Sequence, residues 1–155
     1  RPPRSTLFPY TMLFRSVWML LGFAAWTVLL LLSTVGVYRW SLILAGRVPI
    51  SSFRADQVEG SDRYKRAMRA HANCIENLPV FGAIVVALHV GNVGGTLVDG
   101  LAAAILVARV MQSLVHVCFV QTDTVTALRF AFFLVQIVGY LALIGILVAR
   151  LGGGV

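Results

Sequence analysis

Apolar residues gather into four long runs separated by three short polar stretches, and each run is close to the roughly 20 residues that an α-helix needs to cross the hydrocarbon layer of a bilayer. The first run covers residues 17–38 and includes Val28, Leu29, Leu30, Leu31 and Leu32 without interruption. That core is longer than the apolar stretch of a cleaved secretory signal, so the pattern predicts a retained span. A polar connection over 46–66 follows, carrying the turn and cap formers Pro49, Ser51, Ser52, Asp56, Glu59, Gly60 and Asp62. The second span is expected over 67–90, ending in the turn Gly91-Asn92-Val93-Gly94-Gly95, and the third over 97–120. Gln121-Thr122-Asp123-Thr124 then leads into a fourth span ending near residue 149, with Asp123 or Thr124 as the expected cap. Small residues at Ala104 and Ala108, or at Gly139 and Gly145, offer places for helices to approach closely.

Residues 1–16 break this pattern. Thr6-Leu7-Phe8 and Met12-Leu13-Phe14 form a near-repeat around Pro9-Tyr10 with no amphipathic face, and the stretch resembles a translated sequencing adapter. It is set aside as non-native on the same grounds as an expression scar, with a natural start expected at residues 17–19. The expected organisation is one membrane domain over 17–150 and a flexible tail over 151–155.

Composition agrees with the pattern. Of 155 residues, 59% are hydrophobic and 12% charged, about half the charge share of an ordinary soluble domain. The fold class is therefore an all-α membrane protein, a bundle of four transmembrane helices. A net charge of +7 could suggest nucleic acid, but the excess lies in arginines near helix ends and not on a soluble face interleaved with aromatics. Such residues set orientation or meet lipid headgroups, so the expected partner is the bilayer and not nucleic acid. The first connection and its flanks hold Arg39, Arg47, Arg54, Arg63, Lys65, Arg66 and Arg69, whereas the turn after the second span holds no Lys or Arg. The first and third connections are thus expected on the cytoplasmic side; Arg1, Arg4 and Arg15 pull the other way. Cys74 and Cys118 have no metal-type spacing, and two buried free thiols are expected.

Inside the spans stand groups that hydrocarbon disfavours. Arg69, Asn73 and Glu76 recur at i, i+4 and i+7, a stripe on one face of the second helix. Arg109, Gln112 and His116 form a similar stripe on the third, and Arg129 lies just inside the fourth. At about 1.5 Å per residue, Asn73, His116 and Arg129 sit roughly 10, 7 and 9 Å below the same membrane edge. An ionisable side chain costs about 2.5 to 3.5 kcal/mol at a helix centre, so Arg69, Glu76, Arg109 and Arg129 would together cost roughly 10 kcal/mol facing lipid. Snorkelling accommodates a single edge arginine, but it does not satisfy Asn73, Gln112 and His116. These groups are expected to face one another, a neighbouring subunit or a polar ligand. His89, Asn92 and Asp99, toward the other surface, read as interfacial or capping residues, and His71 as structural.

The run Arg69-Ala70-His71-Ala72-Asn73-Cys74-Ile75-Glu76-Asn77-Leu78-Pro79-Val80-Phe81 resembles the second-helix signature of the MAPEG family, the membrane-associated proteins in eicosanoid and glutathione metabolism. Ala108-Arg109 and Leu128-Arg129 extend the resemblance to most of the chain. It implies a homotrimer with glutathione as co-substrate, bound between subunits near the cytoplasmic side of a bacterial inner membrane. Arg69, Asn73 and Glu76 fall on its ligand-binding positions, Arg129 on the arginine assigned to the glutathione thiolate, and Arg39 on a more loosely matched arginine; Arg109 and His116 complete the expected site. The implied activity is a membrane glutathione transferase, with peroxidase activity as a further capability, in which the thiolate attacks a lipophilic small molecule. Some members carry tyrosines where Gln112, His116 and Asn77 stand. That departure supports a rival reading, a non-catalytic member that binds another anionic or lipid ligand or serves as a structural subunit; a third and less favoured one is a small four-span exporter cycling a proton on Glu76, which Arg69 and Arg129 at the same depth would hold ionised.

Overall fold

The computed structural model describes residues 9–54 and 58–153, with side chains from Arg15 onward. Arg1, Arg4, Asp56 and residues 154–155 of the expected tail lie outside the described residues. Helix α1 (Pro9–Leu30), a π-helical segment (Leu31–Gly36) and α2 (Val37–Leu44) form one unbroken helical run. A 3-10 turn (Ile50–Ser52) leads to α3 (Asp62–Val90), α4 (Thr96–Cys118) and α5 (Asp123–Gly152). Among the described residues, four stretches are long and apolar enough to cross a membrane: Arg15–Leu44, Asp62–Val90, Thr96–Cys118 and Asp123–Gly152. The protein is an all-α, four-span membrane protein.

The first helical run is longer at both ends than the apolar pattern predicts. It begins at Pro9, inside the stretch set aside above, and continues past Tyr38 to Leu44. Arg39 does not end it, because its Nε donates to the Tyr64 hydroxyl at 2.7 Å and its guanidinium lies 5.3 Å from the Phe53 ring centroid. In the π-helical segment, the Thr34 hydroxyl donates to the Leu30 carbonyl at 2.6 Å, supplying a bond where the α-helical ladder is interrupted.

Ser61 caps α3, its hydroxyl accepting from the Tyr64 N–H at 3.3 Å. Within α3, Pro79 has no N–H for the Ile75 carbonyl, and two residues earlier the Asn77 side-chain amide donates to the Asn73 carbonyl at 2.9 Å. The turn into α4 needs left-handed backbone at Asn92 (φ 53°) and positive φ at Gly95 (134°), conformations suited to those residue types. The cap of α5 is Thr122, whose hydroxyl accepts from the Val125 N–H at 3.2 Å, and neither Asp123 nor Thr124. Thr122 is the residue with extended backbone, which a cap requires, while Asp123 is already helical.

The core lies where α1, α3 and α4 meet, and α5 closes against α4. Phe23, Phe81 and Tyr140 form an aromatic column with centroid spacings of 5.8 and 6.2 Å. Gly139 permits the α4–α5 contact: a Cβ there would stand 2.7 Å from Ile105 Cγ1. Ala108 is buried at an interface, whereas Ala104 is exposed and Gly145 faces open space. Only one thiol is buried as expected: Cys74 is in the core, and Cys118, the last residue of α4, is exposed. Leu29, Val86, Val107, Leu134 and Leu141 are more than half exposed and form the face expected to meet acyl chains.

Candidate functional site

At the end of the bundle that carries the first and third connections, α3, α4 and α5 leave a groove of about 320 Å³ lined by Asn73, Gln112, His116, Thr126, Arg129, Phe130 and Phe133. Each helix contributes polar groups for a sequence reason. Asn73 sits on the α3 stripe, Gln112 and His116 lie one turn apart on α4, and Thr126 and Arg129 lie one turn apart at the start of α5.

Arg129 is 9% exposed. One of its terminal nitrogens, Nη1, is 3.0 Å from His116 Nδ1, and Nη2 donates to the Thr126 hydroxyl at 3.1 Å. A guanidinium can only donate, so Nδ1 accepts and the neutral ring carries its proton on Nε2. Asn73 Nδ2 stands 3.3 Å from Nε2; two N–H donors cannot bond to each other, so the relay closes with the amide turned to present its oxygen to that N–H. The relay Asn73–His116–Arg129 thus ties three helices together. Beneath it the Gln136 amide donates to the Gln112 oxygen at 3.0 Å, and the Gln112 amide donates to the Arg129 backbone carbonyl at 3.1 Å. That second chain anchors the first turns of α5 to α4.

The two bonds of Arg129 use two of its five N–H groups, and no carboxylate of a described residue bonds to it. A cation with donors to spare beside a groove can hold an anion. The exposed rings of Phe130 and Phe133, 6.5 Å apart, form the groove's apolar side, so a charged group and a lipophilic one can lie next to each other.

The other residues of the expected site lie elsewhere. Arg69 is exposed, donates to Gln121 Oε1 at 3.4 Å and lines a separate depression of about 290 Å³ with Lys65 and Met68. Glu76 is exposed on the outer face of α3 and makes no hydrogen bond or ion pair with a described residue. Arg39 belongs to the contact of α2 with Tyr64. Arg109, 1% exposed, points into the bundle with its guanidinium carbon 5.6 Å from the Phe23 centroid, and it does not line the groove. Thr126 lines the groove too and was missed by the sequence reading; its one-turn spacing before Arg129 was the available signal.

These features define a class: a multi-pass integral membrane protein with a buried guanidinium beside a groove in its outer surface. The MAPEG family model matches residues 16–149, and the chain belongs to that family of membrane proteins of eicosanoid and glutathione metabolism. No curated protein and no solved structure matches the chain.

Proposed function

We propose that the protein is a membrane-bound glutathione transferase whose Arg129 stabilises the glutathione thiolate while a lipophilic electrophile approaches from the bilayer. The observation that carries this reading is the geometry of Arg129, a buried guanidinium aligned by His116 and Thr126 and bonded to no carboxylate among the described residues. A thiol of pKa about 8.5 needs roughly 2 kcal/mol of differential stabilisation to be half ionised at pH 7, and one charged hydrogen bond supplies about 1.5 to 3 kcal/mol. The thiolate sulfur donates its electron pair to the electrophilic carbon, forming the thioether as the leaving group departs with its bonding electrons. Phe130 and Phe133 offer that electrophile an apolar surface beside the thiolate.

Glutathione also carries two carboxylates and an ammonium group. Arg69 offers a bidentate partner for a carboxylate, Glu76 a partner for the ammonium, and Asn73 an amide at the groove. Arg69 and Glu76 stand on the outer face of α3, where each charge facing lipid would cost about 2.5 to 3.5 kcal/mol. A homotrimer in which a neighbouring subunit covers that face relieves this cost and completes the ligand cage. The arginine-rich first connection supports a cytoplasmic orientation of the site, in a bacterial inner membrane.

Calorimetric titration of the detergent-solubilised protein with glutathione tests the reading. Wild type is expected to bind with a rise in thiolate ultraviolet absorbance, and Glu76→Gln to bind at least about tenfold more weakly, the equivalent of 1.4 kcal/mol. No heat and no thiolate band in the wild type would overturn the proposal.

A further inference from the structure

A third space, of about 260 Å³, lies between the π-helical segment, α2 and the start of α3, and among the described residues shares no lining residue with the Arg129 groove. Ser33, Tyr38, Ser61 and Arg63 line it over an apolar floor that includes Val37 and Val117. Of the hydroxyls at its wall, those of Thr34 and Ser41 donate to the Leu30 and Tyr38 carbonyls at 2.6 and 2.8 Å, and two others accept instead. The Tyr38 hydroxyl accepts from the Ser61 N–H at 3.3 Å, and the Ser61 hydroxyl accepts from the Tyr64 N–H at 3.3 Å, so each keeps its own proton to donate. The side chains of Ser33 and Arg63 make no hydrogen bond with a described residue, and no carboxylate of a described residue lines the space. Four groups with free donors, one of them a guanidinium, and no carboxylate of a described residue suit an anionic acceptor.

Depth identifies the source of that acceptor. The helical run Arg15–Leu44 has 30 residues, about 45 Å at 1.5 Å per residue against a hydrocarbon layer of about 30 Å. Tyr38 and Ser41 near its end therefore reach headgroup level, and Trp40, 58% exposed, stands with them as an interfacial aromatic. Toward the bilayer centre Leu29 and Leu32 are exposed, an apolar track for acyl chains. The same end holds the arginine excess that attracts anionic lipid.

We infer that this cavity is a binding site for the phosphate headgroup of an anionic phospholipid, held by the hydroxyls of Ser33, Tyr38 and Ser61 and the guanidinium of Arg63. Phosphate oxygens accept from all four, and charge-assisted bonds from a guanidinium are the strong ones.

The test uses the full chain reconstituted in mixed phosphatidylglycerol and phosphatidylcholine vesicles, extracted gently and weighed by native mass spectrometry. Wild type is expected to retain phosphatidylglycerol in preference to phosphatidylcholine. Tyr38→Phe preserves the ring stack on Tyr64, 4.4 Å between centroids, and with Arg63→Gln is expected to lower retention about tenfold or more. Arg47→Gln, which changes an exposed arginine outside the cavity, should retain lipid as wild type does. Undiminished retention in the double variant would overturn the site, as would equal retention of the two lipids. Displacement of the lipid by added inorganic phosphate would also overturn it, by assigning the cavity to a free anion.

Discussion

Arg129 holds His116 in a single tautomer: with Nη1 donating to Nδ1 across 3.0 Å, the imidazole must carry its proton on Nε2, toward Asn73. The constraint is mutual, since the ring and Thr126 also align the guanidinium. Arg129→Ala is expected to lower glutathione conjugation to an activated aryl halide by about a hundredfold or more, the usual scale for removing an electrostatic donor from a reacting anion. Protein yield should change far less, and wild-type turnover in this variant would refute the role.

The glutamine chain beneath that relay makes a prediction about stability. Gln112→Leu leaves an amide hydrogen of Gln136 short of a partner inside the bundle, and takes from the Arg129 carbonyl the bond it accepts in addition to its helical one. That substitution is expected to cost about 1–3 kcal/mol. Adding Gln136→Leu removes one stranded group, so the double variant should be more stable than the sum of the two single costs. Thermal unfolding in detergent across the four proteins of the cycle measures the coupling.

Helix contact gives a sharper contrast between two glycines. Gly139→Ala would drive a methyl to within 2.7 Å of Ile105 Cγ1 and is expected to destabilise by about 1–3 kcal/mol, partly recovered by Ile105→Ala in the same chain. Gly145→Ala enters open space and should be neutral or stabilising by up to about 1 kcal/mol. Thermal midpoints of the variants decide between the two behaviours.

Exposure separates the cysteines. A maleimide reagent is expected to modify Cys118 in the native protein and to reach Cys74 only on unfolding, because Cys74 is 0% exposed with its sulfur 3.4 Å from the Ser113 hydroxyl. Intact mass before and after denaturation reads the order; early loss of the Cys74 thiol would contradict the packing.

What was legible in the sequence follows from what spacing encodes. Span number came from the length of apolar runs, and the meeting of Asn73, His116 and Arg129 followed from equal distances to one membrane edge. Spacing also put Arg109 on a face with Gln112 and His116, but it carries no information about which neighbour that face meets; the side chain turned inward onto Phe23. Arg69 and Glu76 share a stripe with Asn73, yet Asn73 lies at the α3–α4 boundary and the other two face outward. The cap at Thr122 was missed because capping depends on which residue is extended, and Thr122, Asp123 and Thr124 are all chemically able. The length of the first helical run was underestimated because Arg39 reads as an end signal until Tyr64 is placed against it.

The π-helical stretch Leu31–Gly36 holds one residue more than ordinary winding would place in the same arc of the first span. Removing a single residue there would restore ordinary winding and leave everything beyond it within about 20° of its present azimuth. Tyr38 and Arg39 would then keep their places against Tyr64 while Phe23 and Thr27 kept theirs. A one-residue deletion is therefore tolerable at this stretch, whereas the same deletion in the ordinary helix on either side would turn the headgroup-level rim about 100° against the interior.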